Sequence, residues 1–179
     1  AKILYEVLLD QNHDCRLIGN IGNPALSEKK ITKNTVFVIE ASSYQLDYSK
    51  LFTSKYSVIL NISPDHIERH KNLKNYINAK FKLLNSQSNK FIAFVKKNDL
   101  LINKKINGKK YKQKIIRVDL KKANKTIKQL NNKYFLSAGN RENLSFVLKI
   151  SDTLKLNNKI LFKTLNRFKG LKYRQQIIY

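Results

Sequence analysis

Apolar positions recur along this chain with two different periods. Near the start, Ile3, Leu4, Val7 and Leu8 follow the i, i+1, i+4, i+5 spacing of a core-facing stripe, which predicts a helix over about residues 2–11. Short unbroken apolar runs come next, at residues 16–18, 35–39, 56–61 and 91–95. They are too short for helices and suit strands buried on both faces, as in a parallel sheet. Between the last two runs lies NLKNYINAKFKLLNSQ, a helix with Leu73, Tyr76, Ile77, Lys80 and Leu84 along one side. Helical patterns return over residues 141–154 and 159–168, and the chain closes on an apolar stretch after Gly170 that reads as a strand. Strands alternating with helices predict an α/β fold with a mostly parallel central sheet flanked by helices.

One segment departs from that alternation. Residues 96–128 hold 12 Lys and two Asp. They read as short edge strands and loops, a small antiparallel edge region with a solvated basic face. No internal repeat and no linker rich in Pro, Gly or Ser divides the chain, so residues 1–179 are expected to form one domain.

Charge alters the picture less than its size suggests. The formal net charge is +24, from 36 basic and 12 acidic residues. Thirty of the basic residues are Lys and only 6 are Arg, and Asn and Ile are abundant too. All three abundant types have A/T-rich codons, so a biased genome produces this composition without selection for phosphate binding. Arg, the residue of bidentate base and phosphate contacts, is scarce, and no strand is rich in aromatics for stacking bases. No nucleic-acid partner is therefore expected. No apolar run approaches the length of about 18 residues that a membrane span needs, so no membrane partner is expected either. The single Cys15 allows no intramolecular disulfide and fits a reducing, cytoplasmic setting. No Met occurs, even at position 1, and the chain opens inside a helical pattern, which suggests a fragment.

The candidate chemistry sits where strands end, the usual address of ligands in open α/β sheets. GNIGNPAL follows the first strand, EASSYQL the second and NISPDHIERH the third, with NAKFKLL on the helix that comes after. Glu40 raises a question of its own, because a carboxylate at the end of a hydrophobic strand is costly without a cation or donors beside it. A hard oxygen ligand such as Glu40 suits Mg²⁺, and a neutral His66 can complete the coordination directly or through water. Each signal alone has a plainer reading: Glu40 in a loop, His66 capping a helix or bonding Asp65, GNIG as a turn, Lys80 as one solvated lysine among thirty.

Taken in order, GNIGNPAL, VIEASSYQLD, VILNISPDHIERH, YINAKFKLL and FKGLKYR resemble the central domain of the Mur ligases. These are ATP-dependent amide-bond enzymes of peptidoglycan precursor synthesis. GNIG-PAL and E-SS-QL are similar to the forms found in the member that adds D-glutamate. The alternatives are another Mur ligase, a folylpolyglutamate synthase or, in a different class, a basic nucleic-acid-binding module. The resemblance implies three reactants: UDP-N-acetylmuramoyl-L-alanine, D-glutamate and ATP. It implies Glu40 and His66 as holders of Mg²⁺ ions, His66 and Lys80 at the catalytic centre, and Lys80 carbamylated by CO₂ to help hold the second ion. Asn140 and Arg174 match residues that meet the nucleotide. Asn20, Ser42, Ser43 and Gln45 lie where the carboxyl substrate is held. The complete enzyme is expected to be a cytoplasmic monomer.

The chain departs from the family pattern in three places. The phosphate-binding loop, G-x-x-G-K-[ST], would fall immediately before Ala1, and the flanking N- and C-terminal domains are absent, so the chain by itself is expected to be inactive. The family's Gly-x-His-Asn reads SAGN, with Gly139 in place of histidine. Its His-Arg-Phe-Glu reads YRQQ, with Tyr173 and Gln175 at the first and third positions after LK. The last two changes bear on the nucleotide side of the site.

Overall fold

The computed structural model describes residues 1–171; Arg174 and the strand expected after Gly170 lie outside the described residues. In chain order the elements are α1 (Lys2–Asp10), β1 (Cys15–Gly19), β2 (Val36–Glu40), α2 (Ser43–Tyr48), β3 (Tyr56–Ile59), α3 (Ile67–His70) and α4 (Leu73–Asn85). Then come β4 (Ile92–Lys96), α5 (Leu100–Asn107), β5 (Lys114–Val118), α6 (Lys121–Ile127), α7 (Ala138–Thr153) and α8 (Asn158–Arg167). The chain forms two compact units. One comprises Ala1–Glu40 with Leu120–Tyr179, the other Ala41–Asp119.

In the first unit β1 and β2 pair in parallel, Cys15 opposite Val36 and Gly19 opposite Glu40. Its main core is helical. Ile3 and Val7 of α1 meet Leu144 and Leu148 of α7, Leu161 and Leu165 of α8, and the rings of Phe135 and Phe168. The predicted stripe on α1 is therefore the buried one: Ile3, Val7 and Leu8 are buried and Leu4 is packed against them. α7 and α8 start where Ser137 and Asn157 accept hydrogen bonds from the backbone N–H of Asn140 and Ile160. Such caps contribute about 1 kcal/mol each.

The second unit holds a three-stranded parallel sheet in the order β3-β4-β5. Here the unbroken apolar run does mark a fully enclosed strand: Ala93, Phe94 and Val95 of β4 have no exposed surface. Phe81 and Leu84 of α4 share one core with Ile59 of β3 and with Ile102 and Ile106. β2 is different. Val36 and Ile39 are exposed, so its apolar run does not signal burial on both faces.

Residues 96–128 are not an antiparallel edge. They form α5, β5 and α6, and β5 pairs parallel to β4 with Ile92 opposite Lys114. Every strand pairing among the described residues is parallel. Asp99 caps α5 by accepting from Ile102 N–H, and Ile102 and Ile106, four apart, face the core. The intervening lysines hid that helical period. No helix among the described residues is long and apolar enough to cross a membrane.

Two glycines shape the turn after β1. Gly19 (φ +104°) would bring a Cβ to 2.3 Å from the Glu40 carbonyl oxygen, and Gly22 (φ +91°) to 2.0 Å from that of Leu17. Only glycine fits there, on both steric and conformational grounds. At Gly139, on the first turn of α7, an added Cβ meets nothing within 4 Å.

Substitution by alanine at these sites is therefore expected to act in opposite directions. Gly22→Ala should lower stability by about 1–3 kcal/mol, whereas Gly139→Ala should raise it by about 0.5 kcal/mol. Urea unfolding of the two variants checks both signs. Cys15 supplies a second test. Burial beside Leu8, Leu17 and Val38 pushes its thiol up to about 11. At pH 8 only about one thiol in a thousand is then ionised, against roughly one in four for an ordinary cysteine. A chromogenic disulfide reagent should leave the folded protein unlabelled and react promptly once urea unfolds it.

Candidate active site

The site-bearing segments are divided between the units. At the carboxyl end of the first unit's sheet, Asn20 N–H donates to the Glu40 carbonyl at 2.9 Å, directly after the Gly19–Glu40 pair. The Asn20 side chain is exposed and Glu40 is half-buried. Other acids around these strands have partners. Thr35 and Arg16 hold Asp14, and these bonds keep its carboxyl below the usual carboxylate range. Glu28 takes Arg16 Nε at 3.2 Å and Asn23 Nδ2 at 2.9 Å, which pins the GNIGNPAL loop. The Glu40 carboxylate, in contrast, has no hydrogen bond or salt bridge among the described residues.

Asn140 belongs to the same unit but faces inward. It is buried, and its Nδ2 donates to the Tyr134 carbonyl at 2.9 Å, tying α7 to the turn before it. Arg141 next to it donates from Nη2 to the Leu136 carbonyl at 2.9 Å.

In the second unit, Ser42 opens α2 with a reciprocal cap. Its hydroxyl accepts from Gln45 N–H at 3.1 Å and its own N–H donates to Gln45 Oε1 at 2.9 Å. Gln45 keeps its amide NH₂ for other acceptors. Ser43 points the other way: it is 5% exposed, and its hydroxyl lies 3.0 Å from Nε2 of the equally buried His70. His66 precedes α3 in a left-handed conformation (φ +52°), with Nε2 3.2 Å from Asp65 Oδ2.

A line of ring contacts connects the candidates of this unit. The His66 ring lies 5.0 Å from Tyr44, and Tyr44 stacks on His70 at 5.4 Å and 12°. His70 meets Tyr76 edge-on at 5.5 Å, and the Lys80 ammonium sits 5.0 Å over the Tyr76 ring. Arg69 covers Tyr44 and Tyr48 and donates to the Tyr48 hydroxyl at 2.6 Å. Beside this cluster Lys82 bonds Asp47 at 2.8 Å, chiefly responsible for holding that carboxyl below its usual range.

Sequence reasoning singled out His66, Ser43 and Lys80 but passed over His70, Tyr44 and Tyr76, which join them. The signal was present as two i, i+4 spacings, His66/His70 and Tyr76/Lys80, the second on one side of α4. Among the described residues no three of His, Cys, Asp and Glu converge on one point as a ready-made metal cage. That suits Mg²⁺, which takes one or two carboxylates and completes its shell with water and substrate phosphate. Glu40 offers such a carboxylate. At His66, Nε2 faces Asp65 Oδ2, so Nδ1 is the ring nitrogen turned away from that acid.

The sequence pattern of the Mur ligase middle domain matches residues 2–160. The chain is 32% identical over 174 residues to a UDP-N-acetylmuramoylalanine--D-glutamate ligase of Francisella tularensis subsp. novicida, covering 96% of this chain and 39% of that protein. It is 26% identical over 198 residues to the ligase of the same name from Rickettsia bellii, covering 99% of this chain and 44% of that one. The chain thus spans about two fifths of the length of these relatives. In three dimensions it is similar to the UDP-N-acetylmuramate:L-alanyl-gamma-D-glutamyl-meso-diaminopimelate ligase from Neisseria meningitides, with a TM-score of 0.67 over 95% of this chain and 62% of that one. At 12% identity this likeness speaks for the fold alone. With the family pattern running through nearly all of its described length, the chain belongs to the Mur ligase middle-domain family.

Proposed function

We propose that residues 1–179 are the central ATP-binding domain of a cytoplasmic, monomeric ligase that joins D-glutamate to UDP-N-acetylmuramoyl-L-alanine. The observation that carries this reading is Glu40. Its backbone is fixed by the β1 register, by Asn20 N–H and by a turn that only glycine permits, while its carboxylate makes no hydrogen bond or salt bridge among the described residues and lies within electrostatic reach of the Ala1 ammonium. An acid held so firmly, without a hydrogen-bonded partner among the described residues, is suited to a cation.

In this reaction the terminal phosphoryl group of ATP passes to the alanyl carboxylate, giving an acyl phosphate and ADP. The amine of D-glutamate then attacks the acyl carbon, loses a proton, and the tetrahedral adduct expels phosphate to leave the amide. Magnesium, when bound, neutralises charge on the transferring phosphoryl group. Glu40 and His66 are its proposed ligands. Lys80 is proposed to take up CO₂ as the neutral amine, forming a carbamate with release of a proton and so becoming a third ligand, an anionic one like Glu40. The partly buried place of Lys80 on α4 supports this role. Asn20, Ser42 and Gln45 are assigned to orientation of the carboxyl substrate and Arg174 to the nucleotide, while Ser43 and Asn140, bonded inward, are assigned to holding the segments that carry these groups.

Phosphate release from ATP by the full-length protein, given UDP-N-acetylmuramoyl-L-alanine and a panel of amino acids, tests the assignment. Release that requires D-glutamate is expected; release with another amino acid instead would move the protein to a sister ligase. Glu40→Ala should reduce magnesium-dependent turnover at least about 100-fold with an unchanged circular dichroism spectrum, and wild-type turnover would remove Glu40 from the site. Lys80→Ala should be inactive alone and partly restored by short carboxylic acids supplied in solution. Full activity without any additive would refute a carbamate at this position.

A further inference from the structure

We propose that His70 is a positioning residue: through its buried bond to Ser43 it fixes the stack of rings that sets both His66 and Lys80. The inference rests on reading His66 and Lys80 as ligand-bearing residues of the ligase site.

The case begins with α3, which is four residues long and flanked by left-handed residues, His66 at φ +52° and Lys71 at φ +69°. A single helical turn has no stability of its own, and non-glycine residues in that region are strained. At its N-terminal end His66 makes no side-chain cap. The turn is held from outside: Ile67 packs on the core, Arg69 bonds Tyr48, and His70 is its last and only buried residue. An apolar ring of similar size would fill the space between Tyr44 and Tyr76. An imidazole in that place carries a desolvation penalty unless its nitrogens are bonded. The bond is to Ser43, on the first turn of α2. Asn75 strengthens the attachment by donating from Nδ2 to the His70 carbonyl at 3.0 Å.

Two consequences reach the site residues. The His66 carbonyl accepts from the N–H groups of both Arg69 and His70 at 3.2 Å, so the His66 backbone follows His70. On its other side the His70 ring abuts Tyr76, whose face carries the Lys80 ammonium. One buried polar bond thus governs the direction of a ring and of an amine on different helices. Ser43, beside the capping residue Ser42, acts here through its inward hydroxyl.

The test uses the full-length protein with Ser43→Ala, His70→Phe, the double variant and His70→Gln, whose amide reaches the Nε2 position. Each of the first two should lower kcat about 10- to 100-fold and raise the magnesium concentration for half-maximal rate, with KM for ATP nearly unchanged. The double variant should be no worse than either single, because both remove the same bond. His70→Gln should recover most of the lost turnover. A fall in melting temperature with kcat and magnesium requirement intact would overturn the proposal, as would losses that multiply in the double variant. If the wild-type protein shows no ligase turnover, the functional reading fails separately, and NMR decides the positioning. Loss of the Tyr44–His66 ring contact and faster exchange of the His70 amide in Ser43→Ala are then expected. Retention of both would refute it.

Discussion

The most demanding constraint in the first unit is the close approach of the GNIG turn to the strands beside it. Parallel pairing places Gly19 opposite Glu40, and any side chain at Gly19 would occupy the space of the Glu40 carbonyl. Asn20 N–H can then reach that carbonyl, and the turn closes back through Asn23 N–H onto the Leu17 carbonyl at 3.0 Å. The chain gives up side chains at two positions to gain a tightly held backbone. A carboxylate without a hydrogen-bonded partner among the described residues is tolerable on such a backbone because it need not recruit a neighbour for order.

The second unit solves the same problem by different means. Its candidate groups are a ring and an amine on long or strained segments, which backbone pairing cannot restrain. Aromatic contacts do so instead: a parallel stack of Tyr44 on His70, an edge contact with Tyr76 and a cation over Tyr76. Contacts of this kind are worth about 0.5–1.5 kcal/mol each beyond the area they bury. Their value here lies in direction more than in energy, since flat rings restrict orientation as aliphatic side chains do not. The stabilising Ser43–His70 bond then selects one rotamer of the central ring.

Much of this was legible from the sequence, and the boundary of legibility has a physical cause. The stripe on α1, the enclosed run of β4 and the helix at α4 declare themselves because burial dictates their residue types. Glu40, His66 and the GNIG glycines stood out as residues that burial does not explain. α5 was hidden because neighbouring Lys and Asn dilute an apolar period whose buried positions are Ile102 and Ile106. β2 misled in the opposite sense, since its apolar residues do not all face a core. His70 escaped because a buried histidine is defined by its partners, and Ser43 and Tyr44 are 27 and 26 positions away in sequence.

Gly139 shows how a departure from a family pattern is to be weighed. The position lies on the first turn of α7, where the cap from Ser137 and the inward bond of Asn140 already fix the backbone. A Cβ there would touch nothing, so glycine is not required by packing, unlike Gly19 or Gly22. The change from the family's histidine therefore subtracts a side chain from an open surface without rearranging what lies beneath it. Its effect falls on whatever approaches that surface, and the fold is indifferent to it. The turn with obligatory glycines is in this sense a structural part of the family signature, and Gly139 is a position that packing leaves free to vary.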